Sequence, residues 1–130
     1  MHRCARLGRR ENVEISKELL RGSTAILVLK LLEKEDMYGY QIIKELGRTS
    51  KGVFNLKEGT LYPILHSLER GGLVESYWED TTSKRKRKYY RLTAAGQDAL
   101  TVRTREWDLF RTAMDGVLGG QRRCSQLKTT

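Results

Sequence analysis

A chain of 130 residues with 38% apolar content is long enough for one domain with its own core. It holds no span for a membrane, because its longest apolar run, Ala25 to Leu29, is cut by Lys30. The net charge of +9 is concentrated: residues 1–10 and 121–130 carry seven basic residues and no acid, "KRKRKYYR" (Lys84 to Arg91) carries six more, and the rest is mildly acidic. A dense basic segment on an acidic body points to a polyanionic partner such as nucleic acid.

The N-terminus "MHRCARLGRR" lacks the apolar segment of a secretory signal, so a cytoplasmic protein is expected. Cys4 and Cys124, the only cysteines, lie in polar tails without a CxxC or a histidine at ligand spacing. They read as two free thiols, with no metal and no cofactor.

From Ser16 to about Lys34, Leu19, Leu20, Ile26, Leu27, Leu29, Leu31 and Leu32 cover most of a helix circumference, as in a helix buried at the centre of a small domain. "EKEDMYGY" interrupts it, with Asp36 as expected N-cap of a second helix. That helix, "YGYQIIKEL", presents Tyr40, Ile43 and Leu46 or Gly47 along one side and stops near Gly47. "GRTSKGV" is a loop on composition. A third helix begins near Asn55 to Glu58, a capping-box spacing. After Gly71 and Gly72, "LVESYW" and "RKYYRLT" read as a two-stranded hairpin turned at "EDTTS", with Tyr90 and Leu92 on its core face. Thr93 caps a last helix running to about Leu118. The order of helix, helix, helix, hairpin, helix is a winged helix-turn-helix, mainly α with a small β-hairpin, plus a C-terminal dimerisation helix. The expected division is a basic extension (1–12), the DNA-binding domain (13–93), the dimerisation helix (94–118) and a basic tail (119–130).

The third helix, "KEGTLYPILHSLERGG", has an odd composition. Leu61, Ile64, Leu65 and Leu68 follow the amphipathic spacing, yet Gly59 and Pro63 sit in the first turns, where both weaken a helix. They fall on the opposite face together with His66, Ser67 and Arg70, with Thr60 and Tyr62 at the margins. Early in a helix a proline's missing N–H costs least. Small residues there let the backbone approach a DNA groove, and a helix N-terminus attracts phosphate. A solvent-facing helix with an incidental proline is the alternative, and the basic hairpin beside it favours DNA.

In the last helix, Leu100, Trp107, Phe110, Met114 and Val117 follow 7-3-4-3 spacing, a seam with Arg103 at the vacant place. Such a seam suits packing between two subunits, and packing on its own domain competes with that.

"EGTLYPILHSLERGGLVES" followed by "RKYYRLTAAG", with "MYGYQI" upstream, resembles the PadR family of bacterial transcriptional regulators over roughly residues 17–118. The single helix after the wing is similar to the short subgroup that includes multidrug-binding repressors. The chain departs in its basic extension before Val13 and in a wing turn, "EDTTSK", without glycine. The resemblance implies a homodimeric, ligand-responsive repressor bound to an inverted repeat in double-stranded DNA. By position it implies DNA-facing roles for Tyr38, Gly59, Thr60, Tyr62, Pro63 and Ser67, and for Lys84, Arg85, Lys86, Arg87 and Lys88 of the wing. Lys57, His66 and Arg70 join them from the helical face alone. It also places Trp107 where multidrug-binding relatives carry a pocket tryptophan, with Phe110 and Met114 beside it, for a planar aromatic effector.

Two other classes compete. An enzyme would need a catalytic cluster, and the chain has only two His, no Gly-rich phosphate loop and no nucleophile elbow. A winged-helix module that binds protein without specific DNA binding is permitted by the acidic body, and a salt-dependent affinity for duplex DNA separates the two.

Overall fold

The computed structural model describes residues 16–80 and 85–119. Lys84, the extension 1–12, the tail beyond Gly119 and both cysteines lie outside the described residues. The chain divides into two units, Ile15–Arg103 and a second that includes Thr104 onward.

Helix α1 (Lys17–Lys34) opens on Ser16, whose Oγ accepts the Leu19 N–H at 3.3 Å, with Glu18 in the first turn and Lys34 in the last. Its middle is the centre of the unit: Val28 and Leu29 are fully buried, and Leu32 nearly so. Buried Thr24 satisfies its hydroxyl by donating to the Leu20 carbonyl at 2.5 Å. Leu19, expected in the buried set, is exposed on the first turn.

The segment after α1 corrects the sequence reading. Met37–Tyr38 forms a short strand, β1, where a cap was expected. Helix α2 (Gly39–Thr49) starts after it, and the Tyr38 N–H donates to Gln41 Oε1 at 3.3 Å. Asp36 is therefore not a cap; its carboxylate accepts the Tyr77 hydroxyl at 2.6 Å. The buried side is also offset from the expected one: Gly39, Ile42 and Leu46 are buried, while Tyr40 is exposed. The helix runs past Gly47 and ends where Lys51 and Gly52 take positive φ, with the Ser50 hydroxyl donating to the Leu46 carbonyl.

Helix α3 (Glu58–Arg70) begins at the end of the expected Asn55–Glu58 stretch, two residues later than an Asn55 cap would place it. Lys57 stands at its N-cap without a side-chain bond, and the Lys57 carbonyl accepts the Thr60 and Leu61 N–H groups at 3.0 Å. Leu61, Leu65 and Leu68 are buried against α1 and α2. Gly72, at φ +77°, turns the chain out of the helix while the Leu73 N–H returns to the Leu68 carbonyl.

Strands β2 (Val74–Asp80) and β3 (Lys86–Leu92) pair antiparallel, from Val74↔Leu92 to Asp80↔Lys86. The expected hairpin is thus present, and β1 adds a third strand on its other edge through Met37↔Tyr90 and Tyr38↔Tyr89. Helix α4 (Ala94–Leu118) is capped by Thr93, whose hydroxyl accepts the Gly96 N–H at 3.0 Å and donates to the Gly72 carbonyl at 2.7 Å. Gly96 has no room for a side chain, because a Cβ there would overlap the Leu73 carbonyl. The result is mainly α with a small antiparallel sheet, a winged helix whose core joins Val28, Leu29, Ile42, Leu61, Leu65, Val74, Tyr90 and Leu100.

Candidate nucleic-acid interface

Amphipathic spacing on α3 sorts its residues cleanly. With Leu61, Leu65 and Leu68 turned to the core, Lys57, Glu58, Gly59, Thr60, Pro63, His66, Ser67 and Arg70 are all exposed. Among the described residues, no hydrogen bond or ion pair engages the side chains of Thr60, His66, Ser67 or Arg70. A Cβ built at Gly59 meets nothing within 4 Å, and its φ is not positive. Nothing inside the chain therefore requires glycine there, although glycine in a helix costs about 1 kcal/mol against alanine. The outer face of α3 has a polar end, a bare end and no internal occupant.

Tyr62 lies differently. It is half-buried and packs against the core, with its hydroxyl at Gly39 of α2. Burial raises its pKa above the ordinary tyrosine value. The ring ties α2 to α3 and sets how far the outer face stands from the domain.

The wing divides its basic run between two faces, because successive strand residues point to opposite sides. On one side lie Val74, Ser76, Trp78 and Asp80 with Lys86, Lys88, Tyr90 and Leu92. This side is turned to α3: Val74 and Tyr90 are buried, and the Ser76 hydroxyl donates to Glu69 of α3 at 2.7 Å. Lys86 and Lys88 thus extend the α3 side of the molecule. On the other side, Tyr89 stacks on Tyr77 with centroids 5.7 Å apart and meets Tyr38 edge-on at 5.4 Å. The Arg87 guanidinium lies over Tyr38 at 4.4 Å, and Arg91 lies over Tyr77 at 4.9 Å while pairing with Glu75 at 3.1 Å. Tyr77, bonded to Asp36 and further held neutral by burial and the carboxylate charge, is raised to about 12.

The structure therefore separates residues that the sequence reading had joined. Tyr38 is half-buried in a tyrosine cluster beneath Arg87, away from the side of Lys86 and Lys88. Two exposed groups were missed. Tyr40, with the Lys44 ammonium 5.6 Å from its ring centre, was placed by spacing on one side with Ile43 and Leu46, yet it is exposed while Leu46 is buried. Trp78 is 62% exposed, and its parity with Val74 along β2 would have placed it on the α3 side.

Within the second unit, α4 shows an apolar stripe. Trp107, Phe110, Met114 and Val117 are all exposed, with the Trp107 and Phe110 rings 5.5 Å apart. Leu100, placed on the same seam by spacing, is instead 3% exposed within the core of the Ile15–Arg103 unit. The seam is thus buried at Leu100 and exposed from Trp107 onward. A shallow depression of about 400 Å³, lined in part by Glu33, Asp36, Arg91 and Gln97, lies between α1, β3 and the start of α4, and does not include Trp107. No group of His, Cys, Asp and Glu among the described residues is arranged to hold a metal ion, and no described helix is long and apolar enough to cross a membrane.

Comparison with known proteins agrees with this geometry. The family model described as the transcriptional regulator PadR-like family matches residues 28–102. A transcriptional regulator from Mycobacterium tuberculosis is 35% identical over 105 residues, covering 81% of this chain and 92% of the relative. A solved transcriptional regulator from Clostridium thermocellum superposes with a TM-score of 0.72 at 32% identity, over 78% of this chain and 96% of the other. A solved PadR family transcription regulator from Clostridium difficile gives 0.66 at 36% identity, over 75% and 99%.

Proposed function

Because the chain belongs to the PadR-like family of transcriptional regulators, DNA-binding proteins rather than enzymes, we propose that it acts in the cytoplasm as a homodimeric repressor. Its operator is an inverted repeat in duplex DNA, and a planar aromatic ligand releases it. The observation that carries the DNA-facing assignment is the outer face of α3, where Gly59 is bare without an internal reason and four polar side chains await partners.

Gly59 and Pro63 let the helix approach the groove, while Lys57, Thr60, His66, Ser67 and Arg70 bond base edges or phosphates. Lys86 and Lys88, with Lys84 and Arg85 before them in the chain, neutralise phosphates. Tyr62 acts by positioning α3, and Arg87 with Tyr38 by holding the wing to the start of α2. The exposed stripe of Trp107, Phe110, Met114 and Val117 supplies the surface for the second subunit. A flat aromatic compound between two Trp107 side chains would bind one spacing of the recognition helices better than another, which is the difference that ligand-driven release requires.

Selection of bound duplexes from random DNA tests this reading. The expected product is an inverted repeat with half-sites about one turn, roughly 34–36 Å, apart, bound by a dimer. Stoichiometric binding of a monomer to a single half-site would contradict it.

A further inference from the structure

The largest exposed aromatic among the described residues of the Ile15–Arg103 unit stands on the wing, outside the core cluster. Trp78 is 62% exposed near the outer end of β2, two residues beyond Ser76, which bonds α3. It shares the α3-facing side of the hairpin with buried Val74 and Tyr90, so it projects where that side leaves the core. Directly across the pair is Lys88, whose ammonium lies 5.9 Å from the indole centre and 5.8 Å from that of Tyr90. Lys86 occupies the next position outward on the same side. An indole beside the Lys88 ammonium, with the Lys86–Asp80 pair next outward on the same side, offers an apolar plate with positive charge at its edge.

We propose that Trp78 is a DNA-contact residue, whose indole packs on a deoxyribose beside the major groove that α3 enters while Lys88 and Lys86 reach the adjoining phosphates. The inference rests on the DNA-binding reading above and deepens it. Duplex DNA is the one partner of stated chemistry that fits both parts of the patch. Its sugars are apolar and lie between phosphates, so one strand offers apolar surface and negative charge side by side. A protein partner would need an acidic rim and an apolar centre in the path of the recognition helix. The contact is amphipathic, and the two parts answer differently to salt. Lysine–phosphate contacts release counterions, and an indole on a sugar releases none.

The test uses the full chain and a duplex obtained by selection, with affinity measured over a range of salt concentrations. Trp78→Ala is expected to weaken binding about tenfold at every salt concentration, with an unchanged slope of log K against log salt. Trp78→Phe is expected to recover most of the loss. Lys86→Ala is expected to lower the slope by about one unit. DNA should also shield the indole from acrylamide, read as the difference in quenching between wild type and Trp78→Phe; circular dichroism confirms that each variant is folded. Wild-type affinity in Trp78→Ala would overturn the proposal while leaving DNA binding intact. So would a loss that comes with a lowered slope, which would trace the effect to displaced lysines. Absence of salt-dependent duplex binding in the wild type would remove the DNA reading itself, and this inference with it.

Discussion

The Tyr62 hydroxyl occupies the space in which a side chain at position 39 would begin. The contact joins the first residue of α2 to the second turn of α3, so the glycine of "MYGYQI" and the tyrosine of "GTLYP" are one packing unit. It explains why the α2 start tolerates no Cβ, and why the tyrosine on the margin of the recognition helix is half-buried. The spacing of the two helices follows from a residue with no side chain.

Gly39→Ala is therefore expected to destabilise the fold by about 1–3 kcal/mol, through displacement of the Tyr62 ring. Adding Tyr62→Phe removes the nearest clashing atom, so the double variant should be more stable than the sum of the single effects implies. Urea unfolding measures both. Wild-type stability in Gly39→Ala would show that the helices separate freely.

The Tyr77–Asp36 bond predicts a stability change in alkali. The folded state holds the Tyr77 proton up to about 12, against 10.0 for the ordinary side chain. The stabilisation is complete below the unfolded value and is lost as pH rises through the folded one. The urea midpoint should thus stay level from about pH 8 to about 10 and then fall towards about 12. Tyr77→Phe should lower the midpoint at neutral pH and reduce that alkaline fall. An unchanged alkaline fall in the variant would place the titration elsewhere.

Much of this architecture was legible in the sequence, and the reasons are periodic. The four helices, the hairpin and the outer face of α3 all follow from 3.6- and 2-residue spacing, which local composition carries. Strand β1 did not follow, because two residues hold no pattern and Met37 and Tyr38 become a strand only by pairing with Tyr90 and Tyr89 far along the chain. Missing it moved the expected start of α2 to Tyr38, which instead pairs with Tyr89 in the sheet. Leu100 and Trp107 fit one seam equally well, yet one is buried and the other exposed, since spacing tells which residues share a face and not what that face meets. The basic run was read as a single patch although strand alternation already separates Lys86 and Lys88 from Arg87.

Trp107 should report on an effector. In a Trp78→Phe background, flat aromatic cations or phenolics are expected to quench the remaining indole saturably. By calorimetry, Trp107→Ala should weaken the same compounds about tenfold or more, with the dimer largely retained. Unchanged ligand affinity in Trp107→Ala would leave the tryptophan as packing alone.

The central claim is that the bare outer face of α3 exists for DNA, and Gly59 tests it because the fold makes no use of its missing side chain. Gly59→Ala should stabilise the isolated protein by about 0.4–1 kcal/mol, since the site is helical and open. The same variant should bind the selected operator at least about tenfold more weakly, because a methyl group then separates the helix from the groove. Stability and affinity measured on one preparation should move in opposite directions. A stabilised Gly59→Ala protein that binds its operator as tightly as the wild type would contradict the account.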